Sequence, residues 1–162
     1  LLGNIELSRD GYPLNDRYFD ELPPVFHESA LLDRFHGFIE GWLLPRMNND
    51  MILRDWTINV EFFSEVMHKL RVAPEYAELV NNVIFIPEKA DTRHLNAVKR
   101  MTTAYCKLLF PHITSIDKIN KEEFEQFCLR PAIHRRDQIR KQCANIDNES
   151  SFSNPMPDIR VK

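Results

Sequence analysis

Glycine is scarce in this sequence: 162 residues hold four, at Gly3, Gly11, Gly37 and Gly41. No G-x-x-x-x-G-K-[ST] phosphate loop can be written with them, so the turn whose backbone N–H groups would cradle nucleotide phosphates is missing. The chain by itself should not hydrolyse ATP. Three widely spaced cysteines, Cys106, Cys128 and Cys143, form no C-x-x-C pair. A disulfide framework and a zinc site are thereby set aside, and the cysteines read as reduced core or surface thiols of an intracellular protein. The six histidines show neither H-x-x-x-H nor H-E-x-x-H spacing, so no metal ligand is expected. No apolar run approaches a membrane span and no basic-then-apolar leader opens the chain, which leaves no membrane partner and points to the cytoplasm. A net charge of −3 gives no global bias toward nucleic acid. Paired acids for glycoside cleavage and a nucleophile elbow are also absent. Tyr18-Phe19-Asp20-Glu21 looks like the acidic end of a magnesium-binding strand, but its polar approach, Asn15-Asp16-Arg17, argues against a buried strand.

Helical periodicity is what the sequence does have, and it predicts a mainly α fold. Residues 54–71 carry apolar side chains at Trp56, Val60, Phe63, Met67 and Leu70, a stripe read as core. Pro74 suits the first turn of a second helix that buries Tyr76, Leu79, Val80 and Val83. Asp91 is a good N-cap for a third, running from Thr92 to about Phe110 with a stripe of Leu95, Val98, Thr102, Tyr105 and Leu109. Asn120 caps a fourth, with Glu123 at N3, and Pro131 opens or kinks its continuation to about Asn145. That continuation is basic: Arg130, His134, Arg135, Arg136, Arg140 and Lys141. Most such runs are solvated faces; this one could also meet nucleic-acid phosphates or an acidic neighbour. Residues 149–162 read as a disordered or extended tail.

Before residue 45 the pattern differs. Leu1 to Ile5 is a short strand candidate with Asn4 near its exit, followed by a long loop over 8–26. Leu31, Leu32 and Phe35 then fit one side of a short helix ending near Gly37, and Phe38-Ile39 reads as a second strand. Asp33-Arg34 sits at that helix end, where Arg34 either reaches past the domain edge or pairs with a local carboxylate such as Glu40. Pro45 and Asn48-Asn49-Asp50 mark a hinge over 44–50. On the third helix, Arg93 lies about 200° round the wheel from Leu95 and so points away from the stripe. It also puts a positive charge in a first turn that is already positive, a mismatch of about 0.3–1 kcal/mol at an exposed site.

The run Leu31-Leu32-Asp33-Arg34-Phe35-His36-Gly37-Phe38-Ile39-Glu40-Gly41-Trp42 resembles the arginine-finger segment of AAA+ ATPases, and most of all that of the Lon-like BrxL family of BREX phage-defence systems. Asp91-Thr92-Arg93-His94-Leu95 resembles the sensor-2 helix of AAA+ lids. The resemblance implies an excerpt holding the end of an AAA+ core over 1–45, a four-helix lid over 46–146 and a flexible tail or linker over 147–162. It implies Asn4 as sensor 1, Arg34 as a finger on a neighbouring subunit's nucleotide, and Arg93 touching its own subunit's γ-phosphate. ATP and magnesium in the full-length protein, a homo-oligomeric ring of hexameric type, and a DNA or protein substrate follow from it as well. Neither ATP nor magnesium is expected in the excerpt alone. Lon-type peptidases use a Ser–Lys pair in a domain after the lid, and no such domain fits after Asn145. The alternative reading is a helical interaction module that binds protein or nucleic acid through the basic 130–141 face.

Overall fold

A computed structural model describes residues 3–88, 90–147 and 150–162 of the chain. The fold is mainly α and is built round one long helix. A short helix, α5 (Lys121–Phe124), is capped by Asn120, whose side chain accepts from Glu122 N and Glu123 N. It runs through a π-helical turn, Glu125–Leu129, into α6 (Arg130–Ile146). The wide turn has a local cause. Pro131 lacks an N–H and its ring would crowd the carbonyl of Phe127 in a regular α-helix. The backbone opens by one residue there, and Arg130 N donates to Glu125 O.

Two apolar clusters pack on α6. The first joins it to α3 (Glu75–Val83) and α4 (Thr92–Leu109), burying Tyr76, Val80, Val83, Val98, Phe124 and Ala132 among others. In α3 the four expected core positions are all buried. Asp91 caps α4 as expected, accepting from Arg93 N at 2.7 Å and His94 N at 3.3 Å. The buried face of α4 is His94, Ala97, Val98, Thr102 and Cys106, turned about one residue from the anticipated stripe, and Leu109 is exposed. The second cluster gathers Phe19, Leu32, Ile139, Cys143 and Phe152. It brings the 8–26 loop and α1 (Ser29–Leu32) onto the far end of α6. Gln142 locks that loop down: it accepts from Tyr18 N at 2.7 Å and donates to Asp16 O at 2.6 Å.

Several local expectations differ from the structure. Residues 38–39 are irregular, and so are Asn4 and Ile5; Leu1 and Leu2 lie outside the described residues. The two-stranded sheet is elsewhere, pairing β1 (Ile84–Phe85) antiparallel with β2 (Arg160–Val161), with Ile84 opposite Val161. The stretch read as a tail includes a short helix, α7 (Ser150–Ser153), and holds Phe152 and Ile159 buried. Residues 148 and 149 lie outside the described residues. Helix α2 (Val60–Arg71) starts later than expected and has no buried residue. Its stripe is correct in period but its first half faces outward: Trp56 just before it is fully exposed, Val60, Phe62 and Phe63 are exposed too, and Val66, Met67 and Leu70 are half-buried. Only Leu70, near its end, packs on the first cluster. Among the described residues no helix is long and apolar enough to cross a membrane.

Gly37 allows the segment after α1 to lie close against both long helices. A Cβ built there would stand 2.5 Å from Met101 Sδ on α4 and 2.9 Å from Arg135 Cβ on α6. The methionine end can swing aside, but Arg135 Cβ is fixed to helical backbone. Gly37→Ala should therefore overpack the junction and cost about 1–3 kcal/mol, seen as a lower thermal midpoint. An unchanged midpoint would mean that the segment is not held against α6.

Candidate functional site

Where the two clusters meet, α6 places an arginine on its buried face. Ala132, Arg136, Ile139 and Cys143 follow at steps of four, three and four, so one side of the helix carries them all. Arg136 has no exposed surface. Its guanidinium is spent on four hydrogen bonds. Nε donates to His94 Nδ1 at 2.9 Å, and Nη1 donates to the carbonyls of Asp33 at 2.9 Å and Phe35 at 2.6 Å. Nη2 donates to Asp33 Oδ1 at 2.5 Å. The other Asp33 oxygen, Oδ2, accepts from Arg93 Nη1 at 2.6 Å. Among the described residues no buried side-chain nitrogen or oxygen lacks a partner.

The electrostatics follow from this wiring. Burial alone would raise the Asp33 carboxyl, but the hydrogen bond from Arg93 and the charge and hydrogen bond of Arg136 outweigh it and hold it below its ordinary value. Burial and then the Arg136 charge push the His94 imidazole down, against the pull of Asp91 and Asp33. Nδ1 accepts from Arg136, so the neutral ring keeps its proton on Nε2. All three cysteines are buried, and burial pushes the Cys143 thiol up to about 12.

The predicted site residues fall in three settings. Arg34 is exposed at the end of α1, and its Nη1 donates to Ala30 O at 2.7 Å, one turn back on its own helix. It does not pair with Glu40, which is taken by His134 Nε2 at 2.6 Å. A guanidinium has five N–H donors, so this one contact leaves donors facing solvent. Arg93 points away from its own helix's core as expected. Its side chain, 60% exposed, reaches Asp33, the chain neighbour of Arg34. The unfavourable charge in the first turn of α4 is thus matched by a carboxylate from another element. Asn4 is exposed and lines an open cleft of about 1170 Å³, walled by Tyr18, Phe38 and Trp42 on one side and Met101 and Tyr105 on the other. The structure joins Arg93 to the Arg34 segment through Asp33; Asn4 stands in the cleft instead.

Sequence reasoning missed Arg136, Asp33 and His94 as one cluster. Arg136 was grouped with a basic surface, yet it lies three residues from both Ile133 and Ile139, inside the apolar stripe. The other cations of α6 also have partners within the chain. Arg130 pairs with Glu125, His134 with Glu40, and Arg140 and Lys141 with Asp137. Arg135 Nε donates to Tyr105 Oη. The local acids offset the basic run, which removes the main support for a nucleic-acid face there. Among the described residues no group of three or more His, Cys, Asp or Glu could hold a metal ion.

A mainly helical module that presents one guanidinium outward from a segment clamped by another is the class defined by this fold and cluster. The chain belongs to the BrxL-like ATPase family: the family model described as the ATPase domain of Lon-like protease BrxL-like proteins matches residues 1–157. It is 25% identical over 146 residues to the Lon-like protease BrxL of Bacillus cereus (strain H3081.97), covering 90% of this chain and 21% of that protein. Against the Lon-like protease BrxL of Escherichia coli O9:H4 (strain HS) it is 23% identical over 151 residues, covering 93% and 21%. The chain thus spans about a fifth of the length of these curated relatives.

The His94 and Asp33 shifts give a pH dependence of one sign. Both groups bind protons less readily folded than unfolded, so their contribution is present above their ordinary values, about 6.5 and 3.9, and is lost as pH falls through them. Between pH ~7 and ~5 the aspartate does not titrate, and His94 acts together with His36, which burial and then Arg100 also push down. The thermal midpoint should fall over that interval and fall less in His94→Asn, which keeps an acceptor but cannot become charged. Equal slopes for the two proteins would show that His94 does not titrate with folding.

Proposed function

We propose that this chain is the sensor-to-lid part of a BrxL-type AAA+ ATPase and supplies two arginines to ATP sites formed between subunits of a ring. Arg34 acts as the finger, crossing to a neighbouring protomer's nucleotide, where its spare donors face the charge that develops on the transferred phosphoryl group. Arg93, on the lid, contacts its own protomer's nucleotide, and Asn4 orients the attacking water. Residues 1–45 belong to the core and 46–146 to the lid, with 44–50 as the hinge between them; α6 stays packed on the core, so nucleotide state reaches the lid as a small shift through the Arg93–Asp33 contact. ATP and magnesium are bound with parts of the protein outside these residues. The family points to a role in phage defence.

The observation that carries the reading is the state of Asp33. Its two oxygens accept from different arginines, Oδ1 from Arg136 and Oδ2 from Arg93, while the adjacent Arg34 is exposed and bonds Ala30 O on its own helix. The link also gives the lid arginine a direct hold on the finger segment. Movement of Arg93 toward a phosphate would withdraw one of Asp33's two partners.

In the full-length protein, Arg34→Ala should lower the rate of ATP hydrolysis by roughly 10³-fold or more while nucleotide binding persists, as measured by phosphate release and by titration with a fluorescent ATP analogue. Arg93→Ala should likewise abolish turnover. Wild-type turnover in either variant would remove that residue from the ATP site.

A further inference from the structure

We infer that Arg136, a residue of the lid helix with no access to solvent, is the positioning residue for the Arg34 guanidinium. The inference rests on the finger reading of Arg34 and concerns how that side chain is aimed. Helix α1 spans only Ser29–Leu32, and an isolated helix of one turn does not hold its shape in water. Its C-terminal end leaves carbonyls without helical partners, and these need donors from elsewhere. Arg136 provides them on both sides of Arg34. A single nitrogen, Nη1, bonds the carbonyl of Asp33, just before Arg34, and that of Phe35, just after it. Nη2 fixes the Asp33 side chain at the same time. The backbone at residue 34 is therefore bracketed, while its side chain projects from the opposite, exposed side.

Charge compensation for Asp33 would not need this geometry. One nitrogen on the carboxylate would suffice, and the remaining donors could go anywhere. Instead Nε is anchored on His94 of α4, and the fork turns onto the two carbonyls that set the direction of residue 34. Gly37 completes the hold by letting the outgoing chain lie against Met101 and Arg135. Phe38 N donates to Arg135 O at 3.1 Å, tying the exit to α6 as well. Arg136 touches no nucleotide in this scheme; it acts through the orientation of Arg34.

A finger that is present but misaimed loses transition-state contact without losing ground-state binding. Arg136→Lys keeps a positive charge near Asp33 but cannot reproduce a planar fork. In the full-length protein it should lower kcat by about 10²-fold, the scale of a displacement of about 1 Å at a reacting group. The dissociation constant for a non-hydrolysable ATP analogue should stay unchanged. In an Arg34→Ala background the same substitution should cost nothing further in kcat, because there is no finger left to aim. Circular dichroism and the thermal midpoint report whether Arg136→Lys is folded. If it is not, His94→Leu, which removes the Nε anchor and leaves Arg136 and Asp33 in place, reads the same effect. Equal losses with and without Arg34, or a folded variant with wild-type kcat, would overturn the inference while leaving the finger reading intact. Wild-type kcat in Arg34→Ala alone would overturn both.

Discussion

A guanidinium with no exposed atom stands at the meeting point of two apolar cores, and most of the molecule is arranged to make that tolerable. Burying a charge costs several kcal/mol unless it is paired and its remaining donors are bonded. Arg136 is paired and bonded through all three of its nitrogens, but only by drawing on a carboxylate and two carbonyls at the end of α1 and a ring nitrogen from α4. Two segments far apart in sequence are thus obliged to converge on one point of α6. The apolar clusters on either side supply the burial, and the arginine dictates which parts are brought to it. Removing one partner would strand the others, so the cluster behaves as a unit.

The same residue type serves three ends within a few ångströms, and burial separates them. Arg136, sealed from solvent, organises backbone. Arg93, partly exposed, shares the carboxylate from the other side and so links the first turn of α4 to the end of α1. Arg34, at the surface, bonds its own helix carbonyl through Nη1 and has further donors in solvent. A single aspartate links two of them, because its two oxygens accept from different arginines.

The helices that pack on a core next to them in sequence were readable from periodicity alone. In α3 the spacing of Tyr76, Leu79, Val80 and Val83 states the burial directly, and Asp91 and Asn120 mark their helix starts through short-range hydrogen bonding. What was not readable depends on partners far along the chain. Helix α2 has the period of a buried helix, but periodicity records which side is apolar and says nothing about whether anything lies against it. The pairing of Ile84 with Val161 joins residues too distant for local propensity to foresee, whereas Phe38-Ile39, with better local strand character, is irregular. Arg136 was hidden by its type, since lysine and arginine are so rarely buried that a cation within a basic run is read as surface. Its place between Ile133 and Ile139 was the available signal. The motif at 31–42 was legible as a likeness to a family, while the reason for its aspartate became visible only in three dimensions.

The π-helical turn over Glu125–Leu129 has a consequence for the phase of everything after it. One added residue in a helix rotates all later side chains by about 100° relative to those before. Phe124 and Cys128 precede or lie within the widened turn, and Ala132, Arg136, Ile139 and Cys143 follow it, yet all are buried. The irregularity works as an angular offset that sets the second half of the rod against the right neighbours. Shortening the turn by one residue would restore a regular α-helical backbone and turn the guanidinium away from its partners, so the place of Arg136 depends on the widened turn beside Pro131.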